Sequence, residues 1–264
     1  MSTVQAPVLL RSDDGRGVTT LSLNRPQAFN SLSEDMLAAL QHELDRLSTD
    51  PSVRVVVIAA HGKAFCAGHD LKEMRAQPSL DYYRSLFNRC GRVMMAIQRL
   101  PVPVIAKVQG LATAAGCQLV AQCDLAVAST AARFAVSGVN LGLFCSTPGV
   151  ALSRNLSRKA AFEMLATGEF ISAQQAQDKG LVNRVAAPED LDAAVQALCE
   201  SILRKPRQAL ALGKALFYRQ LESGLEAAYI DAAQTMACNM MDASALEGVQ
   251  AFIDKREPDW PEPR

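Results

Sequence analysis

The sequence predicts an α/β fold with a twisted sheet, followed by a helical C-terminal third. Three observations predict it: two β-rich apolar runs separated by an amphipathic helix, a continued alternation of strand and helix patterns, and consecutive helical stretches after about Pro148. With 264 residues, 49% of them hydrophobic, the chain can bury one large core, or one core plus a small helical appendage.

Val18 to Leu23 reads as a β-rich strand. Val53 to Ala60 is a continuous apolar run of the kind found in a sheet covered on both faces. Between them, Ser33 to Leu47 opens on Ser-Glu-Asp and places Met36, Leu37, Leu40, Leu44 and Leu47 on one stripe, which is an amphipathic helix with a capped, acidic start. The alternation continues with a helix from Tyr82 to Arg99, a strand from Val104 to Val108, a helix from about Ala114 to Cys123 and a short strand near Leu125 to Ala128. Helical patterns then occur at Lys159 to Thr167, Ala173 to Lys179, Leu191 to Leu203, Arg207 to Leu221, Leu225 to Cys238 and Ser244 to Lys255. Met236, Met240 and Met241 on the last helices either pack on another subunit or fill the core of their own chain.

Composition removes several classes of function. Lys plus Arg number 27 and Asp plus Glu number 27, so no global field draws the chain to nucleic acid or to an anionic membrane. The seven cysteines are scattered without a CxxC pair, which fits a reduced compartment. His42, His61 and His69 form no HxH or HExxH pattern, so no metal is expected. The first seventeen residues hold no apolar stretch of signal-peptide length and carry two acidic residues, and no run reaches the roughly 18 apolar residues of a membrane span. The expectation is a cytoplasmic protein with no membrane partner.

Two segments carry chemistry. Lys63 to Glu73 comes directly after the Val53 to Ala60 strand as a strand-to-helix turn, in which Gly68 permits a conformation other residues resist and Asp70 can cap the helix beyond it. Val104 to Asp124 gives a strand, a loop with Gly110 and a helix of small residues whose first N–H groups, near Ala114 to Gly116, lack intrahelical acceptors. Two such turns side by side make an oxyanion hole, in which each backbone donor is worth about 3 to 4 kcal/mol of barrier. Either segment alone reads equally as a tight turn beside a packed helix.

The chain resembles the crotonase (enoyl-CoA hydratase/isomerase) superfamily over nearly its whole length. The resemblance is carried by Asn24 to Asn30, Ala64 to Leu71, Pro103 to Ala106 with Gly110 and Cys123-Asp124, Leu141-Gly142 with Pro148-Gly149, Gly180 to Asn183, and Glu247-Gly248 with Ala251 to Pro258. It implies a spiral of ββα units over residues 1–200, then a helical trimerisation region over residues 201–264, assembled as a homotrimer or a dimer of trimers. It implies an acyl-CoA substrate, with coenzyme A part of that substrate and no separate cofactor. The backbone N–H groups of His69 and Ala115 take the places of the two oxyanion donors. Ala67, Asp70, Leu71 and Lys72 fall along the pantetheine and nucleotide path, Arg25 and Ala28 approach the CoA, and Phe252 and Lys255 reach it from a neighbouring subunit.

The same resemblance exposes two substitutions. Hydratases of the family hold and move a water proton with two glutamates, and Gln118 and Gly138 stand in those places. An amide holds a water but exchanges no proton near neutral pH, and loss of a proton carrier removes a factor of about 100 to 10,000. The first reading is a crotonase-type lyase, an enzyme of enoyl-CoA hydratase/isomerase type that stabilises a thioester enolate, with these two positions setting it apart from an ordinary hydratase. Decarboxylation of a malonyl-type thioester needs a stabilised enolate and no base, and decarboxylases of the family share Gly-His-Asp and a Val-Asn-Leu-Gly like Val139 to Gly142, although where they have a tyrosine this chain has Phe144-Cys145-Ser146. A non-catalytic acyl-CoA-binding trimer is the third reading. The His69 ring either joins in the chemistry or packs at the turn, and Cys145 reads as an inert thiol because no activating base accompanies it.

Overall fold

In a computed structural model, residues 6–76 and 78–261 are described. The amino-terminal stretch read for targeting signals begins with residues 1–5, which lie outside them. The larger sheet holds β1 (Leu9–Asp13), β2 (Val18–Leu23), β3 (Val55–Ala60), β5 (Val104–Val108), β7 (Leu125–Ser129) and β10 (Arg184–Ala186), neighbours in that order. All its pairings are parallel except the β1–β2 hairpin. A smaller sheet holds β4 (Ala64–Cys66), β6 (Leu111–Thr113), β8 (Arg133–Ala135) and β9 (Ile171–Ser172).

Each long strand of the middle chain runs on into a short strand of the second sheet, then into helix. β3 leads to β4, α2 (Leu71–Ala76) and α3 (Leu80–Arg99); β5 leads to β6 and α4 (Ala115–Gln122); β7 leads to β8, α5 (Ser146–Asn155) and α6 (Arg158–Thr167). This is the ββα spiral. The short strands were not foreseen, because three residues are too few to show a period of two. β1 was also missed; it pairs with β2 through a turn in which Asp14 Oδ1 accepts the N–H groups of Arg16 and Val18.

α1 (Glu34–Thr49) is built as its pattern predicts. Ser33 caps it, accepting the Met36 N–H at 3.2 Å, and the foreseen stripe from Met36 to Leu47 is buried against the sheet and α3. Each such fully buried side chain stabilises the fold by roughly 1.5–3 kcal/mol. The opposite face of the sheet is covered by α8 (Leu191–Leu203), through Leu191, Val195 and Cys199 against Val55, Val57 and Ile105. α7 (Ala173–Asp178) precedes the edge strand β10.

The C-terminal helices are α9 (Arg207–Gln220), α10 (Leu225–Met240) and α11 (Ala243–Ile253). α9 is tied to the core by a buried charge. Lys214 Nζ donates to the carbonyls of Ile97 and Val102 at 3.0 Å each and to Asp124 Oδ2 at 2.6 Å, so all three ammonium donors are used. Tyr218 donates to Asp124 Oδ1 at 2.7 Å, and the Val104 N–H reaches Asp124 Oδ2. The rest of this region is poorly covered: Tyr229, Ile230, Met236, Met241 and Phe252 are between 66% and 85% exposed. The three methionines therefore do not fill the core of their own chain.

Candidate active site

The first turn of the site is shaped by Gly68. Its φ is +92°, and a Cβ there would stand 2.9 Å from Ala114 Cβ and 3.2 Å from Ala115 N, so the two chemistry-bearing segments abut at this point. Thr113 Oγ1 donates to the Ala67 carbonyl at 3.0 Å and fastens them together. The Gly68 carbonyl accepts the Leu32 N–H at 2.7 Å. Because a trans peptide sets C=O and N–H on opposite sides, this bond turns the His69 N–H away from α1.

The second turn is the start of α4. Ala114 N donates to the Ala135 carbonyl at 2.9 Å, and Ala114 then adopts φ 48°, ψ −120°, a region that ordinarily belongs to glycine. Ala115 opens the helix, so its N–H has no intrahelical acceptor. Among the described residues, no backbone carbonyl takes the N–H of His69 or of Ala115. Gly116 is required on packing grounds: a Cβ there would lie 2.0 Å from the Cys66 carbonyl oxygen. Helix α4 thus sits directly on β4.

Both turns form one wall of a cavity of about 400 Å³, completed by Phe87 from α3 and by the loop from Ser137 to Pro148. Ala67, His69, Leu71, Ala115 and Gly138 of the expected residues lie on its wall. Gln118 does not. It is 4% exposed, one turn along α4, and its Oε1 has no hydrogen-bond partner among the described residues. Gly138 is closed over: a Cβ there would be 2.5 Å from the Leu143 carbonyl oxygen and 2.7 Å from Cys145 Sγ. No Asp or Glu lines the cavity among the described residues.

The His69 ring stands edge-on to Phe87, with centroids 5.4 Å apart, and both its nitrogens are shielded without a hydrogen-bond partner. Burial pushes its pKa below the ordinary range, so the ring is neutral near pH 7. In this conformation it packs. Burial likewise pushes the Cys145 thiol up, against a smaller opposing effect of the Gly138 backbone, which keeps it a thiol.

Asp70 is fully engaged. Its Oδ1 accepts the Lys72 N–H at 3.1 Å at the start of α2, while Oδ2 accepts Arg25 Nη2 at 3.1 Å and the Ser31 hydroxyl. Burial pushes this carboxyl up, but Arg25 and the Glu73 and Lys72 amides outweigh it and hold the pKa below the usual value. Arg25 is therefore held by Asp70 next to the wall residues His69 and Leu71, without lining the cavity itself, and Ala28 lies in the adjoining 3-10 turn, whose Phe29 carbonyl accepts the Ala67 N–H. Lys72 is exposed beside them. Phe252 and Lys255 line no part of this cavity; Phe252 is 85% exposed on α11. Phe144, which stands near the place of the decarboxylases' tyrosine, lies on the wall, while Phe87 and Leu143 went unforeseen because wall residues of an apolar cavity carry no motif.

Among the described residues no group of three or more His, Cys, Asp or Glu could hold a metal ion, and no helix is long and apolar enough to cross a membrane.

Comparison with known proteins agrees with the fold. The family model described as enoyl-CoA hydratase/isomerase matches residues 13–263. The chain is 48% identical to enoyl-CoA hydratase domain-containing protein 3, mitochondrial, of Xenopus laevis, over 92% of this chain and 83% of that protein. It superposes on a crystal structure of an enoyl-CoA hydratase from Mycobacterium smegmatis with a TM-score of 0.95 at 69% identity, covering 96% of this chain and 99% of the other. Human enoyl coenzyme A hydratase domain-containing protein 3 gives a TM-score of 0.92 at 45% identity, covering 96% and 100%. The cytoplasmic setting expected from the amino terminus does not stand, because the Xenopus relative and its mouse and human counterparts are named mitochondrial. The composition of a chain's first residues was too indirect a signal. With the spiral fold, the paired turns and these relatives in agreement, the chain belongs to the enoyl-CoA hydratase/isomerase family.

Proposed function

We propose that this protein binds an acyl-CoA thioester and stabilises its enolate oxygen between the N–H groups of His69 and Ala115. The single observation that carries the reading is the contact of the Gly68 turn with the start of α4, which leaves two acceptor-free donors on one cavity wall. Donors fixed by strand and helix need no reorganisation when charge develops on the oxygen, and this is the source of their catalytic strength. Arg25, held by Asp70 and Ser31, and Lys72 offer positive charge at the rim for the phosphates of the coenzyme.

The fate of the enolate is set by its surroundings. With no carboxylate on the wall among the described residues, the cavity favours steps that need no resident base, and decarboxylation of a malonyl-type thioester is such a step. Hydration, the activity named for several relatives, requires a proton carrier that Gln118 and Gly138 do not supply. A panel of acyl-CoA thioesters read by mass spectrometry scores hydration, isomerisation, decarboxylation and hydrolysis together. Decarboxylation, isomerisation or hydration of any thioester supports the enolate reading, whereas hydrolysis alone, which passes through a tetrahedral intermediate, overturns it. Tight binding without any product leaves a non-catalytic acyl-CoA binder, and absence of binding removes the proposal.

The exposed apolar residues of α10 and α11 support self-association of residues 201–264 into a trimer, which would bring Phe252 and Lys255 to a neighbour's cavity. Sedimentation velocity tests this: a trimer or hexamer is expected, and a monomer at micromolar concentration removes the assembly.

A further inference from the structure

A second cavity, of about 550 Å³, lies at the other end of β3 from the thioester site. It is lined by Arg54, Lys205 and Arg207 together with Asp242, Ser244 and Trp260. Arg54 precedes β3 whereas the Gly68 turn comes after it, so the six-residue strand, about 20 Å long, separates the two sites.

Four separate segments of the chain build this cavity. Arg54 Nη2 donates to the Leu203 carbonyl at 3.2 Å and to the Lys205 carbonyl at 2.5 Å, and Arg207 Nε donates to the Val53 carbonyl at 3.2 Å. These bonds fix two guanidinium groups side by side, and none of the three basic side chains pairs with a carboxylate among the described residues. Burial and the neighbouring Arg207 charge both lower the Arg54 pKa from its usual value. The far wall is the chain's only tryptophan, whose indole Nε1 donates to the Arg204 carbonyl at 2.9 Å while its ring rests on Gly248.

Two helices also open into this space. The first residues of α9 and of α11 lie on the wall, and neither helix has a side-chain cap at its N-terminus. Ser244, in the first turn of α11, is 8% exposed, and its hydroxyl has no partner among the described residues. An unpaired hydroxyl on a largely buried serine, uncapped N–H groups and three cations thus face one volume. Among the described residues Asp242 is the one carboxylate on the wall, and its Oδ2 is taken by Asn239 Nδ2 at 2.9 Å.

We propose that this cavity is a binding site for a phosphoryl group, carried by inorganic phosphate or by a nucleotide, held by Lys205, Arg207, Ser244 and the helix starts. The ligand's negative charge relieves the repulsion between the two guanidinium groups and meets the positive ends of two helix dipoles. The site is independent of the thioester reading and stands or falls without it.

Trp260 reports on this cavity alone, so its fluorescence is the test. The whole chain is titrated with inorganic phosphate, and separately with adenosine monophosphate, at ionic strength held constant with sodium chloride. Saturable change in emission is expected, with tighter binding of the nucleotide if the indole also receives a base. Lys205→Gln combined with Ser244→Ala removes two side chains that make no internal hydrogen bond, and should weaken binding roughly tenfold or more. Asp242→Asn should tighten it. A response equal to that of sodium chloride, or equal in the double variant, overturns the proposal. So does a response to magnesium chloride that Asp242→Asn abolishes, which would make the cavity a cation site. A response that appears only after residues 262–264 are deleted also overturns it, since the chain's own end would then be the occupant.

Discussion

Lys214 and Asp124 meet at 2.6 Å although one belongs to the C-terminal helices and the other to the turn between α4 and β7. Their side chains are 6% and 14% exposed, and the same carboxylate holds the start of β5 and the Tyr218 hydroxyl. Burial alone would lower the Lys214 pKa, and Asp124 opposes that effect. The C-terminal helices are thereby pinned to the far end of the helix that presents Ala115.

Removing either partner leaves the other charge buried and alone. Lys214→Met and Asp124→Leu should each destabilise the chain by about 3–5 kcal/mol, whereas the double variant that combines them should cost much less than the sum. Urea denaturation of the two single variants and the double variant closes the cycle; additive losses would show that the pair is not coupled.

Ala114 occupies a backbone region in which a side chain is strained. Such a conformation costs about 1–3 kcal/mol, more than the entropy glycine adds to the unfolded chain. Ala114→Gly should therefore stabilise the protein by about 1 kcal/mol in thermal denaturation, against the usual direction of an alanine-to-glycine change.

Gln118→Glu places a carboxyl where the native amide is 4% exposed. Burial raises a carboxyl's pKa above its unfolded value, so the folded state binds the proton more tightly. Stability relative to the native chain should be little changed below about pH 4 and should fall steadily as pH rises toward the raised pKa, by about 1.4 kcal/mol per pH unit, levelling off above it. Denaturation midpoints measured between pH 4 and 8 would reveal the widening gap, and a constant gap would mean that the new side chain reaches water.

Glu247 clasps the chain's end through Arg256 at 2.6 Å and the Asp259 N–H at 2.8 Å, and Arg256 foremost holds its pKa at about 2, against a usual 4.5. A depressed carboxyl contributes stability above its unfolded pKa and loses it as pH falls through the folded one. Trp260, one residue beyond Asp259, should move its emission toward the red between about pH 4.5 and 2, and the Glu247→Gln variant should show no such step.

Much of the fold was legible because its long elements announce themselves. The stripe from Met36 to Leu47 and, within the run Val53 to Ala60, the residues Val55 to Ala59 are buried as their patterns require, and the two turns of the site were readable from Gly68 and from the small residues after Thr113. The second sheet was not legible, since β4, β6 and β8 draw their stability from pairing across distant segments. Nor was the closure of Gly138, because the atoms that fill its space belong to Leu143 and Cys145, and only the folded loop brings them there. Lys214 gave no warning either: a lysine in a helical pattern reads as solvated until its acceptors are in place.

The space above Gly138 also imposes an order on change. A side chain at 138 meets the Leu143 carbonyl at 2.5 Å, so no acid can appear there before the Leu143 to Cys145 loop has receded. An acid in place of Gln118 meets no such barrier of backbone, only the cost of its own burial. A lineage or a designer moving this chain toward a two-carboxylate site must therefore retreat the loop before filling position 138, whereas Gln118→Glu can come at any stage; attempted in the reverse order, the path passes through a protein that cannot close its own cavity.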